Sequence, residues 1–322
     1  MRGIKHLNHA GVLVAIVAAV VGSFFLQRVQ MTVYTGSREC RALSEKGEQL
    51  EPGICVELHE FVAEFYDNQT PRRFASDITV YLKDGESIRG IVEVNRPLKA
   101  DGWSIYQYGY DTALGSQSPY SVFLLVKDPL LPAVYAGIFL MLAGALCIIF
   151  FKAGCAFKRK GILPAALLLM VAASFVYLFT PVFRAKQLMP ALQSPWFVPH
   201  VAVYMLSYAL LAAATLMAFK DKAITDNLTQ LGVAFLTIGM LLGAIWAKQA
   251  WGHYWTWDPK ETWAAITWLC YLLYIHFRII RPNNWKMARW ILLLAFVCLQ
   301  MCWWGINYLP SAGVVSMHTY NV

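Results

Sequence analysis

Seven long stretches of this chain contain no charged side chain, and they restrict the fold more than any other feature. They cover residues 10–27, 129–151, 161–183, 187–219, 228–247, 262–277 and 290–317. A helix that crosses a bilayer needs about 20 apolar residues, with a range of about 17–25. Charged residues make up only 14% of the chain, whereas a soluble domain has roughly a quarter. The sequence therefore predicts an α-helical polytopic membrane protein with seven transmembrane helices, one per stretch.

The basic residues predict the orientation of these helices. One set of connections holds most of the lysines and arginines, and the positive-inside rule places that set in the cytoplasm. It comprises Arg2, Lys5, Lys152, Lys158, Arg159, Lys160, Lys220, Lys222, Arg278, Arg281, Lys286 and Arg289. The N-terminus is then cytoplasmic, and the C-terminus lies on the opposite side. The net charge of +8 comes largely from these loops, so it does not indicate nucleic-acid binding.

A polar segment, residues 28–128, separates the first two uncharged stretches and lies outside the cytoplasm in this orientation. Four parts of it are rich in the β-branched and aromatic residues that favour strands. They are residues 78–82, 88–94, 103–108 and 120–126, and a tight turn, Lys-Asp-Gly-Glu, follows the first. We expect a small extracytoplasmic antiparallel β domain inserted between membrane helices. Cys40 and Cys55 could form a disulfide there, because that compartment is oxidising.

Residues 251–261 concentrate three tryptophans, an Asp, a Lys and a Glu between two apolar stretches. Tryptophan is flat and suited to a planar ligand, and it also favours the membrane–water boundary. An aromatic belt at that boundary explains one or two of these tryptophans. It does not explain the unbroken sequence Trp-x-Trp-Asp-Pro-Lys-Glu, so the segment is a candidate ligand platform.

Four of the seven histidines stand where the predicted helices reach the two membrane faces. His9 precedes the first uncharged stretch. His276 lies 15 residues after Glu261, roughly 22 Å further along a helix and so near the cytoplasmic face like His9. His200 and His318 lie near the outer face. Ionisable side chains in membrane helices are usually functional, and imidazole is a common axial ligand of haem iron. The pairs predict one haem at two depths or two haems at once; the alternative is interfacial histidines bonded to carbonyl groups.

Several motifs resemble those of System II cytochrome c synthases, which carry the tryptophan-rich WWD signature of haem-handling proteins. In the second half these are Ser-Pro-Trp-x-x-x-His-Val at residues 194–201, Trp-Gly-x-x-Trp-x-Trp-Asp-Pro-Lys-Glu-Thr-Trp at 251–263, Trp-x-x-Tyr-x-x-Tyr-x-His-x-Arg at 268–278, and Gly-Ile-Asn-Tyr-Leu with His-x-Tyr at 305–309 and 318–320. The first half resembles the partner subunit of the family. Its motifs are Asn-His-Ala-Gly at 8–11, Asn-Arg-Pro-Leu at 95–98, Gly-Trp-x-x-Tyr-Gln at 102–107 and Lys-Asp-Pro at 127–129.

The resemblance implies a fusion of the two subunits with four parts. They are a first transmembrane helix (residues 1–27), an extracytoplasmic β domain (28–129), two transmembrane helices (130–183), and a haem-handling domain with four transmembrane helices and the WWD segment (184–322). Larger members of the family have further helices, and a second chain could supply them here.

The resemblance also implies an activity, that of a holocytochrome c synthase, a thioether-forming haem lyase. Such a protein moves haem b across the bacterial cytoplasmic membrane and attaches it to the Cys-x-x-Cys-His motif of apocytochrome c. The β domain, the WWD segment and the C-terminus would lie in the periplasm. Expected partners are haem, apocytochrome c, the lipid bilayer and thiol-reducing proteins that keep the apocytochrome reduced.

The haem ligands and the residues that contact the porphyrin follow from the same resemblance. His9 and His276 would bind haem iron on the cytoplasmic side. His200 and His318 would bind it on the outer side.

The WWD segment would supply the remaining site residues. Trp251, Trp255 and Trp257 would present flat faces to the porphyrin. Gly252 would allow close approach of the backbone, and Asp258 would orient the segment by hydrogen bonding.

Two other functions use some of the same residues. A haem exporter or haem-delivery transporter without ligase activity would need the same histidines and tryptophans. A membrane b-type cytochrome would usually stack its histidine pairs within a four-helix core, whereas here the four histidines lie on separate helices or loops.

Overall fold

The computed structural model describes residues 2–157 and 187–308. The third uncharged stretch, residues 161–183, and His318 lie outside the described residues. Within them, six helices are long and apolar enough to cross a membrane. They are α1 (Arg2–Ser23), α2 (Leu131–Phe157), α3 (Phe197–Met217), α4 (Lys222–Trp251), α5 (Pro259–Ile280) and α6 (Trp285–Trp303). The predicted class, a polytopic helical membrane protein with an inserted β domain, is confirmed.

Two uncharged stretches extend well beyond an end of the helix that they predicted. The stretch at 187–219 includes a short 3-10 helix, Pro190–Gln193, and α3 begins only at Phe197. The stretch at 290–317 extends past the end of α6 at Trp303, after which a 3-10 helix occupies Gly305–Tyr308. The absence of charge identifies an apolar segment, but the backbone hydrogen bonds decide where its helix begins and ends.

The helices pack in sequential pairs around α4. Helix α1 lies against α2, α3 against α4, and α5 against α6, while α4 also contacts α2 and α5. Accordingly, 61% of the most apolar window of α4 is buried within the chain, against 17–33% for the other five helices. Helix α4 is therefore the central helix of the described bundle.

The β domain consists of two antiparallel sheets, of six and four strands in the described residues. The strands are β1 (Gln27–Tyr34), β2 (Arg38–Glu39), β3 (Ala42–Ser44), β4 (Gln49–Leu50), β5 (Cys55–Phe65), β6 (Pro71–Tyr81), β7 (Ser87–Glu93), β8 (Leu98–Ala100), β9 (Trp103–Tyr110) and β10 (Tyr120–Lys127). The orders are β4-β3-β1-β10-β9-β8 and β2-β5-β6-β7. The four strands predicted from the sequence correspond to β6, β7, β9 and β10, and a disulfide joins Cys40 to Cys55.

The strand pattern explains how the domain packs on both sides. Alternate residues of β1, beginning with Val29, enter a core that both sheets share. Strand β10 instead buries consecutive residues, because Leu124 and Val126 pack on its other face with Tyr106 and Leu26. A strand buried on both faces reads as a continuous apolar run. This second face is the side of the domain that meets the helices.

Candidate functional site

A cavity of about 360 Å³ lies at the end of the bundle where α4 ends and α5 begins. We call this the β-domain end, because a side chain added to Gly252 there would contact β9 and β10. Side chains from α3, α4, α5, α6 and the intervening loop line the cavity, and most of them are aromatic or aliphatic. They include His200, Tyr204, Trp246, Tyr254, Trp255 and Glu261. A mostly apolar wall with a few polar groups is typical of a cofactor-sized site.

His200 lies in the first turn of α3, and its ring is held in one orientation. Its Nδ1 is 2.7 Å from the Gly239 carbonyl oxygen, so Nδ1 carries the proton and donates it. The lone pair of the neutral ring then lies on Nε2. The ring also packs edge-on to Tyr204, with centroids 4.9 Å apart, and against α4 at Gly243. These contacts fix both the tautomer and the direction of the imidazole.

Trp246 is a site residue that sequence reasoning missed. It is only 1% exposed, and its indole N–H donates to the Ala191 carbonyl oxygen over 2.9 Å. Its ring lies 5.8 Å from that of His200 and 5.1 Å from that of Trp251, measured between centroids. A single tryptophan inside the uncharged stretch at 228–247 has no sequence feature that separates it from ordinary core packing.

Capping interactions fix both ends of the loop between α4 and α5. Gly252 ends α4 with a left-handed φ of +79°, a conformation that favours glycine. Asp258 begins α5, since its Oδ1 accepts the Glu261 N–H over 2.8 Å. The Glu261 carboxylate accepts from the N–H and the hydroxyl of Thr256, over 2.7 and 3.1 Å. Asp258 is therefore the N-cap of α5, and Pro259 suits the first helical position.

The three tryptophans of the segment occupy different environments. Trp255 lines the cavity. Its buried indole N–H has no hydrogen-bond partner among the described residues. Trp251 packs behind the wall, stacked on His253 at 15° between ring planes. Trp257 is 70% exposed and has a φ of +60°. The structure thus brings Trp255, but neither Trp251 nor Trp257, to the cavity, and Gly252 lies against the β domain.

His253 is buried beside positively charged groups. Its Nδ1 has no hydrogen-bond partner among the described residues. Burial, together with Arg28 of β1 and Lys248 of α4, lowers the pKa of His253 from 6.5 to about 4. The imidazole is therefore neutral at physiological pH.

The opposite end of the bundle brings His9 and His276 together. His9 lies near the start of α1 and His276 near the end of α5, and both are exposed. Their ring centroids are 5.9 Å apart with an interplanar angle of 89°. His276 Nδ1 lies 2.8 Å from the Leu272 carbonyl oxygen, and it therefore donates its proton there as His200 does to Gly239. Two histidines predicted as a pair from separate helices are thus neighbours.

These features define a polytopic membrane protein whose β domain is docked against an aromatic, histidine-lined cavity. Residues 131–312 match the family described as Cytochrome C assembly protein. Residues 3–119 match the ResB-like family. The chain belongs to the cytochrome c assembly protein family. The two matches within one chain confirm the expected fusion of the two System II subunits.

Among similar proteins are those named cytochrome c biogenesis protein CcsA. The protein of Chlamydomonas reinhardtii is 36% identical over 49% of this chain and 50% of its own length. That of Guillardia theta is 34% identical over 48% of this chain and 63% of its own length. That of Synechococcus sp. (strain RCC307) is 32% identical over 49% and 64%. The chain therefore spans about half to just under two thirds of the length of the curated relatives it matches.

Proposed function

We propose that this chain moves haem b across the bacterial cytoplasmic membrane and attaches it to apocytochrome c as a holocytochrome c synthase. Haem is the substrate, received at the His9–His276 end and presented in the cavity at the β-domain end. Family membership and the names of the relatives support a role in cytochrome c biogenesis. Apocytochrome c with a Cys-x-x-Cys-His motif is the second substrate, and thiol-reducing proteins and a second chain are further proposed partners.

The orientation rests on charge and on the disulfide. Basic residues are concentrated in the loops at the His9–His276 end, which the positive-inside rule assigns to the cytoplasm. The Cys40–Cys55 disulfide lies in the β domain, and disulfides persist in oxidising compartments such as the periplasm. The β domain and the cavity would therefore face the periplasm, where c-type cytochromes are completed.

The observation that carries the proposal is the shared geometry of His200 and His276. His200 donates its Nδ1–H to the Gly239 carbonyl of the neighbouring helix α4 over 2.7 Å. His276 donates its Nδ1–H to the Leu272 carbonyl of its own helix over 2.8 Å. A histidine that binds a metal usually donates its other ring N–H in this manner, which fixes the tautomer and makes Nε2 more basic. His9 completes the pair at the cytoplasmic end. His318, which lies outside the described residues, is proposed as the second ligand at the outer site.

The cavity offers groups suited to haem and to the attachment step. Tyr204, Trp246 and Trp255 provide apolar surface for the porphyrin, and the buried Trp255 N–H can donate to a propionate. In the reaction each cysteine thiol adds across one vinyl group, so that sulfur bonds to one vinyl carbon and the thiol hydrogen goes to the other. The step needs no external oxidant or reductant. Catalysis then consists chiefly of positioning, which can contribute several kcal/mol, on the order of 7–11 in favourable cases.

Co-expression with a Cys-x-x-Cys-His apocytochrome tests the proposal. Covalent haem on the cytochrome is measured after denaturation, and haem on the purified chain is measured by absorbance. We expect His9→Ala and His276→Ala to deplete co-purified haem. We expect His200→Ala and His318→Ala to retain haem but to form little thioether product.

His59→Ala is the matched control. His59 lies in the β domain, where its Nε2 is bonded to the Thr79 hydroxyl over 2.7 Å, so its loss should change neither signal. Wild-type maturation in all four ligand variants would refute the assignment of the ligands. Bound haem without any covalent product from the parent chain would instead indicate a haem-delivery transporter.

A further inference from the structure

A buried ion pair connects the β domain to the end of α4. Asp128 follows β10, and its Oδ2 lies 3.1 Å from the Lys248 Nζ in the last turn of α4. The two side chains are only 8% and 4% exposed. Among the ion pairs of the described residues, no other has both partners exposed by less than one tenth. The pair is therefore the most deeply buried of these ion pairs, and it joins the two parts of the fusion.

Asp128 and its partner Lys248 also contact the residues on either side of His253. Lys248 Nζ also donates to the Gly252 carbonyl oxygen over 3.1 Å, and the Tyr254 hydroxyl donates to Asp128 Oδ2. The Lys248 ammonium lies 4.7 Å from the centre of the Tyr254 ring. Asp128 thus holds the Tyr254 side chain directly and the Gly252 carbonyl group through Lys248.

Close packing accompanies these polar contacts. A Cβ atom on Gly252 would lie 3.1 Å from Tyr106 Cε2 and 3.2 Å from Val126 Cγ2, on β9 and β10. There is consequently little space between the start of the loop and the sheet. Tyr254, bonded to Asp128 on one side, lines the cavity on the other. A displacement of the β domain would therefore be transmitted to the cavity wall.

A buried ion pair is weak evidence for stability, since apolar residues of similar volume often serve equally well. Its best-attested use is to fix one arrangement among several. We infer that Asp128 is a positioning residue, through which the β domain holds the Trp251–Trp257 loop, by way of Lys248 and Tyr254, in the geometry that receives haem. This inference rests on the proposed function for its consequence, but not for the contact itself.

Two measurements separate the contact from its consequence. Hydrogen exchange of the amides of residues 252–258, followed by mass spectrometry on the purified full chain, reports whether the loop is held. Thioether formation on apocytochrome, with turnover and KM determined separately, reports whether holding the loop matters. The variants are Asp128→Asn, the double variant Asp128→Leu/Lys248→Met, and the matched control Asp77→Asn, which removes a β-domain acid paired with Arg89 away from the loop.

We expect Asp128→Asn to accelerate exchange in the loop at least tenfold and to lower turnover at least tenfold. The KM for apocytochrome and the amount of haem bound at the His9–His276 end should not change. The double variant leaves no buried charge unpaired, so it should unfold at the parent's temperature and yet remain slow. Asp77→Asn should match the parent in both measurements.

Three results bear on the inference in different ways. Parental exchange in Asp128→Asn would show that the contact does not hold the loop, and would overturn it. Parental turnover in the double variant would show that the pair serves stability alone, and would also overturn it. Faster exchange in Asp128→Asn, in a chain whose parent forms no thioether, would support the positioning contact while refuting the proposed function.

Discussion

The substitution Gly243→Ala tests the position of His200 without touching the imidazole itself. Gly243 lies on α4, opposite the His200 ring. A methyl group on its Cα would lie 2.6 Å from His200 Cε1 and 2.8 Å from Nδ1. Atoms in ordinary contact lie about 3.5–4.0 Å apart, so the ring would have to move by about 1 Å. Its bond to the Gly239 carbonyl, now 2.7 Å, would be distorted by the same movement.

The expected effect on folding is small and that on activity is large. Replacing glycine by alanine inside a helix stabilises it by about 1 kcal/mol. Overpacking a filled interior costs about 1–3 kcal/mol. The free energy of unfolding should therefore fall by no more than about 2 kcal/mol. A misplacement of about 1 Å in a reacting group can lower a rate about 100-fold, and we expect that loss in thioether formation.

Gly232→Ala provides the matched control on the same helix. A methyl group there would lie 2.6 Å from both Leu211 Cδ2 and Cγ, a contact as tight as that at Gly243. Leu211 is absent from the residues that line the cavity. Both variants are compared with the parent for thermal unfolding, haem absorbance and covalent haem on co-expressed apocytochrome. Equal maturation by Gly243→Ala and the parent, or equal loss in both variants, would refute a specific role for the His200 position.

Three further predictions concern the loop and the β domain. Asp258→Ala should lower the free energy of unfolding by about 1 kcal/mol because the helix loses its N-cap, whereas Asp258→Asn, an equally good cap, should lose only a few tenths; thermal unfolding distinguishes the two. The pKa of His253 is lowered to about 4 in the fold, so between about 6.5 and 4 the unfolded chain binds more protons and stability falls as the pH falls. His253→Gln should reduce that dependence in unfolding curves measured across this range. Removing the Cys40–Cys55 disulfide by a double serine substitution should lower β-domain stability by about 3 kcal/mol, because the bridge closes a loop of 15 residues; denaturant unfolding gives the value.

Six of the seven predicted helices lie in the described residues and were confirmed, because the bilayer leaves few alternatives for a long uncharged segment. No charge and sufficient length together require a helix whose backbone bonds are internal. The strands were harder to predict. Strand β1 begins at Gln27, soon after α1 ends, and carries Arg28, so it reads as a polar tail of the helix. Strand β5 carries Glu57, His59 and Glu60, whose polar side chains hide the alternating pattern of buried residues. Only its pairing with β6 in the structure identifies this segment as a strand.

The site was partly predictable for a related reason. Histidine is rare enough in membrane helices that four positions could be singled out, and the contact between His9 and His276 joins helices far apart in the chain. Whether an aromatic side chain faces the cavity, in contrast, depends on the rotation of its helix or the path of its loop. Trp251, Trp255 and Trp257 are equivalent in the sequence, but only Trp255 lines the cavity. Trp246 and Tyr204 have no distinguishing sequence feature at all.

The charges of the WWD segment have a physical reason that is separate from any ligand. Asp258 and Glu261 are each 9% exposed. They can be buried because they accept backbone N–H groups around the start of α5, where the helix dipole favours negative charge. The cap at Asp258 and the left-handed turn at Gly252 leave a loop of six residues, 252–257, with both ends fixed. Within that loop Trp257 adopts a left-handed φ of +60°, which costs on the order of 1–2 kcal/mol for a non-glycine residue. Such strain persists only where the surroundings over-determine the conformation. The acids and the glycine therefore fix the two ends of the loop that carries Trp255, and the contacts of Asp128 act between those ends.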